Sequence, residues 1–208
     1  MVPPIVSVVM ATRDRPQLLR RAVASVFAQE DIQPIEVVLV YDGTEIDELI
    51  DLPRGPHTLR AIHNARTPGL AGARNTGIME ATAPLIAFCD DDDEWKPGKL
   101  RAQLPLFEDP EVVLTATGIE IHSAGGTHER QSPTSVDLDD LLRSRITELH
   151  PSSFVTRADA LRGGLGLVDE ELPASYGEDY DVLLRAAKVG RIAAIPDALT
   201  IIHWDRTS

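Results

Sequence analysis

Four consecutive carboxylates, Asp90-Asp91-Asp92-Asp93, follow the apolar run Leu85–Cys89. Like charges this close disfavour one another's ionisation, and a bound cation removes that penalty. Mg²⁺ and Mn²⁺ take carboxylate and water oxygens and commonly bridge one or two protein carboxylates to substrate phosphates. The run therefore has the composition of a metal-and-phosphate site. The same four residues would also make a solvated acidic turn or a helix start complemented by negative charge. The apolar segment before them and Trp95 after them favour the metal reading.

Other groups with chemical potential are spread along the chain. Asp42, ahead of Gly43-Thr44, could accept hydrogen bonds from a nucleobase N–H or a ribose hydroxyl, although Asp-Gly is also a preferred turn dipeptide. Gly69-Leu70-Ala71-Gly72-Ala73-Arg74-Asn75 joins small residues to one arginine, so a backbone could approach a phosphate while the guanidinium pairs with it. It lacks the Gly-Lys-Ser/Thr ending of a nucleotide-binding P-loop. In Gly177-Glu178-Asp179-Tyr180-Asp181 the acids either complement a helix dipole or supply a general base for a reacting hydroxyl. His203 beside Trp204, and His150 ahead of Pro151, are each a structural histidine or an imidazole ligand suited to Mn²⁺.

The elements that must position these groups alternate in type. Ile5–Ala11 reads as a strand, and Leu18, Leu19, Ala22, Val23, Val26 and Phe27 then recur at helical spacing, with Asp14 placed to cap and Pro16 in the first turn. Ile35–Tyr41, Leu59–His63 and Leu85–Cys89 read as further strands, Glu45–Asp51 as a short helix and Ala71–Ala81 as a small-residue helix. This alternation predicts an α/β layer structure with a mainly parallel sheet, in which ligands bind beyond the carboxyl ends of the strands. Thr12–Arg15, Asp42–Thr44 and Asp90–Asp93 should therefore meet at one edge. Farther on, the pattern predicts helices at Lys96–Phe107, Asp137–Arg143 and Glu178–Val189, strands at Val112–Ile121, Ile192–Ile195 and Leu199–His203, and a loop at Ser123–Pro133.

Composition narrows the classes. A net charge of −13 over 208 residues argues against a phosphate-neutralising surface for nucleic acid. The single Cys89 leaves no intramolecular disulfide and no cysteine zinc cluster, which fits a reducing, cytoplasmic setting. No segment reaches the roughly 20 apolar residues of a membrane helix. One domain is expected, with residues 1–100 as a nucleotide-binding half and 101–208 as an acceptor and catalytic-base half. Because the chain ends soon after His203, no long C-terminal acceptor domain is expected.

Taken in order, SVVMATRDRPQLLRRAVASVFAQ (7–29), EVVLVYDGT (36–44), GLAGARNTGI (69–78), LIAFCDDDDEWKPGKL (85–100), HPSSFVTR (150–157) and GEDYDVLLRAAKVG (177–190) resemble the inverting GT-A glycosyltransferases, the large family that includes bacterial polysaccharide and natural-product sugar transferases. The resemblance implies a Rossmann-like, mainly parallel central sheet flanked by helices. It also implies metal-dependent transfer of a sugar from a nucleoside-diphosphate donor, a UDP-sugar, to an acceptor hydroxyl, with Mn²⁺ or Mg²⁺ as cofactor. Carried over by position, Thr12, Arg13 and Asp14 line the nucleoside pocket, Asp42 reads a uracil-type base, and Arg74 lies near the diphosphate. Asp90 and Asp92 match the outer residues of the Asp-x-Asp motif, with Asp92 the metal ligand, Asp91 beside the ribose, and Asp93 and Glu178 in support. Asp179 matches the catalytic base, and His203 a late metal-binding histidine. Tyr41-Asp42-Gly43-Thr44 replaces the family's usual Asp-Asp-Gly-Ser, and Arg13-Asp14-Arg15 its Tyr-Asn-Arg; both changes touch the nucleoside pocket.

The acceptor, whether glycan, lipid-linked sugar or small molecule, would meet residues 120–180, especially Ser123–Pro133 and the stretch 163–176; a homodimer is compatible with this reading. Two rivals remain at this level. A sugar-phosphate nucleotidyltransferase should carry an N-terminal Gly-rich loop, which Thr12-Arg13-Asp14-Arg15 does not provide. A noncatalytic nucleotide-sugar-binding module would have no use for Asp179.

Overall fold

The structure, a computed structural model, describes every residue except 1, 31, 33, 48, 50, 173–176 and 205–208. One sheet runs through the described residues. Its strands are β1 (Val6–Thr12), β2 (Glu36–Tyr41), β3 (Thr58–His63), β4 (Leu85–Phe88), β5 (Glu94–Trp95), β6 (Val112–Ser123), β7 (Gly126–Arg130), β8 (Ser135–Val136), β9 (Val155–Arg157) and β10 (Arg191–Trp204). The spatial order is β3-β2-β1-β4-β9-β6-β10-β5, with β7 beside β6 and β8 beside β10. The pairings make β3, β2, β1, β4, β6 and β10 run one way, while the short β5, β7, β8 and β9 oppose them. The sheet is mainly parallel, as the alternation predicts.

Helices cover both faces, which is why the parallel strands read as continuous apolar runs. Val6, Val8 and Met10 of β1 pack with Leu19, Ala22, Val23 and Val26 of α1 (Pro16–Phe27), while Val9 packs with Ile78 of α2 (Leu70–Glu80). The remaining helices are α3 (Lys99–Gln103), α4 (Leu138–Arg143), α5 (Ala158–Arg162) and α6 (Glu178–Val189). Val182, Leu183 and Ala186 of α6 join the core that holds Ile86 and Phe88 of β4.

Several local expectations change. Asp14 does not cap α1: its φ of 55° puts it in the left-handed region, Arg15 takes the cap position, and no side chain bonds the helix end. The segment expected as one helix over Lys96–Phe107 begins only after Gly98, whose φ is 100°, and tightens into a 3₁₀ turn at Leu104–Glu108, with Pro105 inside it. Gly126–Arg130, expected within a loop, pairs antiparallel with the end of β6; its side chains are mostly exposed, so it carries no apolar signal. The two late strands are one, β10, with register shifts on either side of Ala198 that carry the strand past Pro196. The described residues of 45–51 form no helix.

The small residues of α2 follow from how closely it is packed. A Cβ added at Gly72 would sit 1.9 Å from the Thr67 carbonyl oxygen, and one at Gly77 would sit 2.3 Å from Val9 Cγ1. On propensity alone, Gly→Ala inside a helix gains up to about 1 kcal/mol. Gly72→Ala should instead destabilise by about 1–3 kcal/mol, because a backbone carbonyl must move. Urea unfolding midpoints of the two proteins check this, and a stabilised variant would contradict the packing.

Candidate active site

The parallel register sets the site. Thr12 at the end of β1 lies beside Tyr41 at the end of β2, and β4 flanks β1 on its other side. The residues just past these strands therefore gather at one edge. Thr12 Oγ1 donates to Asp91 Oδ2 at 2.7 Å. Asp42 accepts from Asn64 Nδ2 at 2.8 Å and from the Gly69 N–H at 3.0 Å, while the Arg13 guanidinium lies 3.9 Å away. Asp42 thus ties the 64–69 loop to the sheet and keeps the N-terminus of α2 against the site. Thr12, Arg13, Asp42, Gly69 and Asp91 border a recess of about 360 Å³. Asp14 is not among its lining residues.

The four-aspartate run is held from several directions. Ser152 Oγ accepts from the Asp90 N–H at 3.0 Å and donates to Asp93 Oδ2 at 2.5 Å, clasping both ends of the loop. Trp95 Nε1 donates to the Ser152 carbonyl at 2.7 Å, and the ammonium of the fully buried Lys99 lies 4.0 Å from the Trp95 ring centroid. Burial lowers the Lys99 pKa to about 7. Arg74 is only 4% exposed, donating to Asp90 at 2.7 Å and to Glu178 at 2.9 Å. It sits behind the acidic loop and joins it to α6. Burial pushes the Asp90 carboxyl up, but the Arg74 charge and hydrogen bond, together with His150 and Arg15, outweigh it and leave the pKa lowered. Burial also raises Asp91, and raises Asp93 well above the usual carboxylate range with help from the Asp90 charge.

Arg15 lies over the outer side of the run, donating to Asp92 at 2.8 Å and to Asp91 at 3.3 Å. It borders both the recess and an adjoining cavity of about 610 Å³. Asp90, Asp92, Asp93, His150, Asp179 and His203 also line that cavity. Asp179 stands in the first turn of α6, which Gly177 initiates with a φ of 86°, and Arg145 grips its Oδ2 at 2.6 Å. Glu178, one residue earlier, points the other way into the Arg74 pair and is 7% exposed. Burial raises its pKa against the pull of Arg74.

Asp90, Asp93 and His150 each offer a ligand atom, all within 4.8 Å of one another. Carboxylate oxygens with one imidazole suit Mn²⁺, and the like charges that add to burial in raising Asp93 are the kind of crowding a cation relieves. The residues present therefore fit a hard divalent ion. Asp92 is one residue away, ion-paired with Arg15, and His203 Nε2 meets Glu94 Oε1 at 2.7 Å. Arg15, Arg145 and Ser152 are residues whose part in the site the sequence leaves unassigned, and His150 is one it leaves open between a structural and a ligand role. The motif HPSS carries a signal for two of them, since a histidine and two serines interrupting an apolar stretch are polar groups in need of partners.

A family model described as Glycosyl transferase family 2 matches residues 7–164. The chain is 30% identical over 218 aligned residues to the pre-mycofactocin glycosyltransferase of Mycobacterium tuberculosis, covering 97% of this chain and 43% of that protein. It is 26% identical to the putative teichuronic acid biosynthesis glycosyltransferase TuaG of Bacillus subtilis, over 69% of this chain and 59% of that one. The chain thus spans less than half the length of its mycobacterial relative. In fold it is similar to S. aureus TarS 1-349 in complex with UDP-GlcNAc, with a TM-score of 0.75 at 22% identity, covering 96% of this chain and 58% of that one. It is also similar to the mannosyltransferase PcManGT from Pyrobaculum calidifontis, in complex with GDP-Man and Mn²⁺, with a TM-score of 0.67 at 18% identity, covering 96% and 57%. Among the described residues, no helix is long and apolar enough to cross a membrane.

Proposed function

The chain belongs to glycosyl transferase family 2, and we propose that it moves a sugar from a nucleoside-diphosphate donor, a UDP-sugar, to an acceptor hydroxyl, with inversion at the anomeric carbon and dependence on a divalent cation. The observation that carries this reading is the junction of two spaces at the aspartate run: the recess bordered by Thr12, Arg13, Asp42 and Asp91, and the cavity that holds Asp179. A nucleoside fits the first, with Asp42 toward the base and Asp91 toward the ribose. The sugar and acceptor fit the second. Asp14, in its left-handed turn, shapes the loop that carries Arg13 and Arg15.

In this mechanism Asp179 takes the proton of the acceptor hydroxyl as that oxygen attacks the anomeric carbon and the nucleoside diphosphate leaves. Arg145 holds one carboxylate oxygen and so aims the other. Asp90, Asp93 and His150 would hold Mn²⁺ or Mg²⁺, with Asp92 as the adjoining carboxylate and His203, engaged by Glu94, on the margin. When bound, the ion supplies charge stabilisation for the departing diphosphate. Arg15, paired with Asp91 and Asp92 where the two spaces join, is placed to meet the diphosphate, while Arg74 acts from behind by fixing Asp90.

Thermal unfolding with nucleotides tests the donor reading. A ligand at about 100 times its Kd stabilises the native state by ~2.7 kcal/mol. For a chain of this size that raises Tm by roughly 5–10 °C. UDP with Mn²⁺ should give such a shift, and UDP without metal a smaller one. No shift with any nucleoside diphosphate, metal present or absent, would overturn the proposal, and a preference for GDP would overturn the base assignment alone.

A further inference from the structure

Three arginines line the large cavity, Arg15, Arg130 and Arg145. Two are matched by carboxylates: Arg15 by Asp91 and Asp92, and Arg145 by Asp179. Arg130 is different. Its Nη1 donates to the Thr147 hydroxyl at 2.9 Å, and among the described residues no carboxylate pairs with it. A half-buried guanidinium that reaches a carboxylate only through a hydroxyl, Thr147 donating in turn to Glu148 at 3.2 Å, is set up to receive an anion of its own.

The surroundings of Arg130 say what that anion is attached to. Arg130 faces Ile119 across the β6–β7 pair, so the two side chains share one face of the sheet, and Ile121 follows two residues along. Ile202 of β10 lies beside Ile121, and all three isoleucines border the cavity. Trp204, at the end of β10, borders it too and is 61% exposed. An apolar floor with an aromatic edge and one available cation suits an amphiphilic ligand. Thr147, which steadies Arg130, lies two residues from the Arg145 that grips Asp179, so this surface belongs with the base rather than with the nucleotide recess.

We infer that the cleft selects an acceptor with an apolar or aromatic body and an anionic group, carboxylate or phosphate, which Arg130 binds beside the hydroxyl to be glycosylated. This rests on the glycosyltransferase reading of the site. It adds a chemical class of acceptor.

The test uses the whole chain with UDP and Mg²⁺ at saturation, so that the donor recess is filled. Binding of 3-phenylpropionate, phenyl phosphate and neutral 3-phenylpropionamide is read by saturation-transfer NMR. At least one of the two anions should bind about tenfold more tightly than the amide, R130Q should bring the two within about twofold, and R130K should keep most of the preference. Which anion wins distinguishes a carboxylate from a phosphate acceptor. Equal binding of anions and amide, no binding by any of the three, an unchanged preference in R130Q, or an anion that competes with UDP would each overturn the inference. The thermal shift by UDP, recorded on the same samples, reports on the donor site separately: a chain that is stabilised by UDP yet indifferent to the anions loses only the acceptor assignment.

Discussion

Asp179→Asn is expected to cut sugar transfer by about 10²–10⁴-fold, the usual contribution of a positioned general base, while UDP affinity stays within about threefold of the parent. Two adjacent carboxylates open α6, and only one can serve. Glu178 is buried against Arg74, whereas Asp179 lines the cavity with Arg145 on one oxygen. An amide at position 179 keeps the shape and the bond from Arg145 through its carbonyl oxygen, but it cannot accept a proton. The loss should therefore appear in kcat, with KM for the donor little changed. Glu178→Gln is the control: it should lower thermal stability and leave kcat within about tenfold of the parent, because it removes a charge behind the loop and not at the reacting atoms. Near-normal turnover in Asp179→Asn would end the base assignment, and a collapse confined to Glu178→Gln would transfer the role to its neighbour.

How much of this was legible from the chain depends on how local each signal is. The apolar run before Asp90–Asp93, the similar runs before Thr12 and Asp42, and the intervening helices place three loops at one sheet edge, because a parallel βαβ arrangement brings successive strand ends together. Their side-chain partners are not local. Ser152 reaches Asp93 across 59 positions, Arg15 reaches Asp92 across 77, and Arg74 reaches Glu178 across 104. Periodicity cannot register a contact of that separation. Lys99 illustrates a second limit, since a lysine in a helix start reads as solvent-facing, yet here its stem and ammonium are buried on Trp95. Arg130 illustrates a third. On an exposed two-stranded pairing its neighbours alternate without apolar residues, so the strand that presents it to the cavity has no hydrophobic pattern.

Replacing Arg74 tests the link between the acidic loop and the base helix. Its guanidinium spans Asp90 and Glu178, and its own pKa is raised because those two charges outweigh the cost of burying it. Arg74→Met keeps much of the side-chain volume over Phe88, whose ring centroid lies 5.9 Å from the guanidinium carbon. It leaves two carboxylates without their shared cation. Breaking a buried ion pair by removing one partner costs about 3–5 kcal/mol. For a domain of this size that lowers Tm by roughly 10 °C. Glu178→Gln added to Arg74→Met should recover part of the loss, because one of the stranded charges is gone, so the two changes should couple rather than add. The loss should also reach the donor site. Without Arg74, Asp90 is no longer anchored, and the affinity for UDP with Mn²⁺ should fall by about tenfold or more even at temperatures where the variant is fully folded. If the variant binds UDP and metal as the parent does, Arg74 is only a structural strut and Asp90 does not need it to keep its place in the cavity. If the double variant is no more stable than Arg74→Met alone, the cost lies in lost packing against Phe88, and the two carboxylates are not the reason for the arginine.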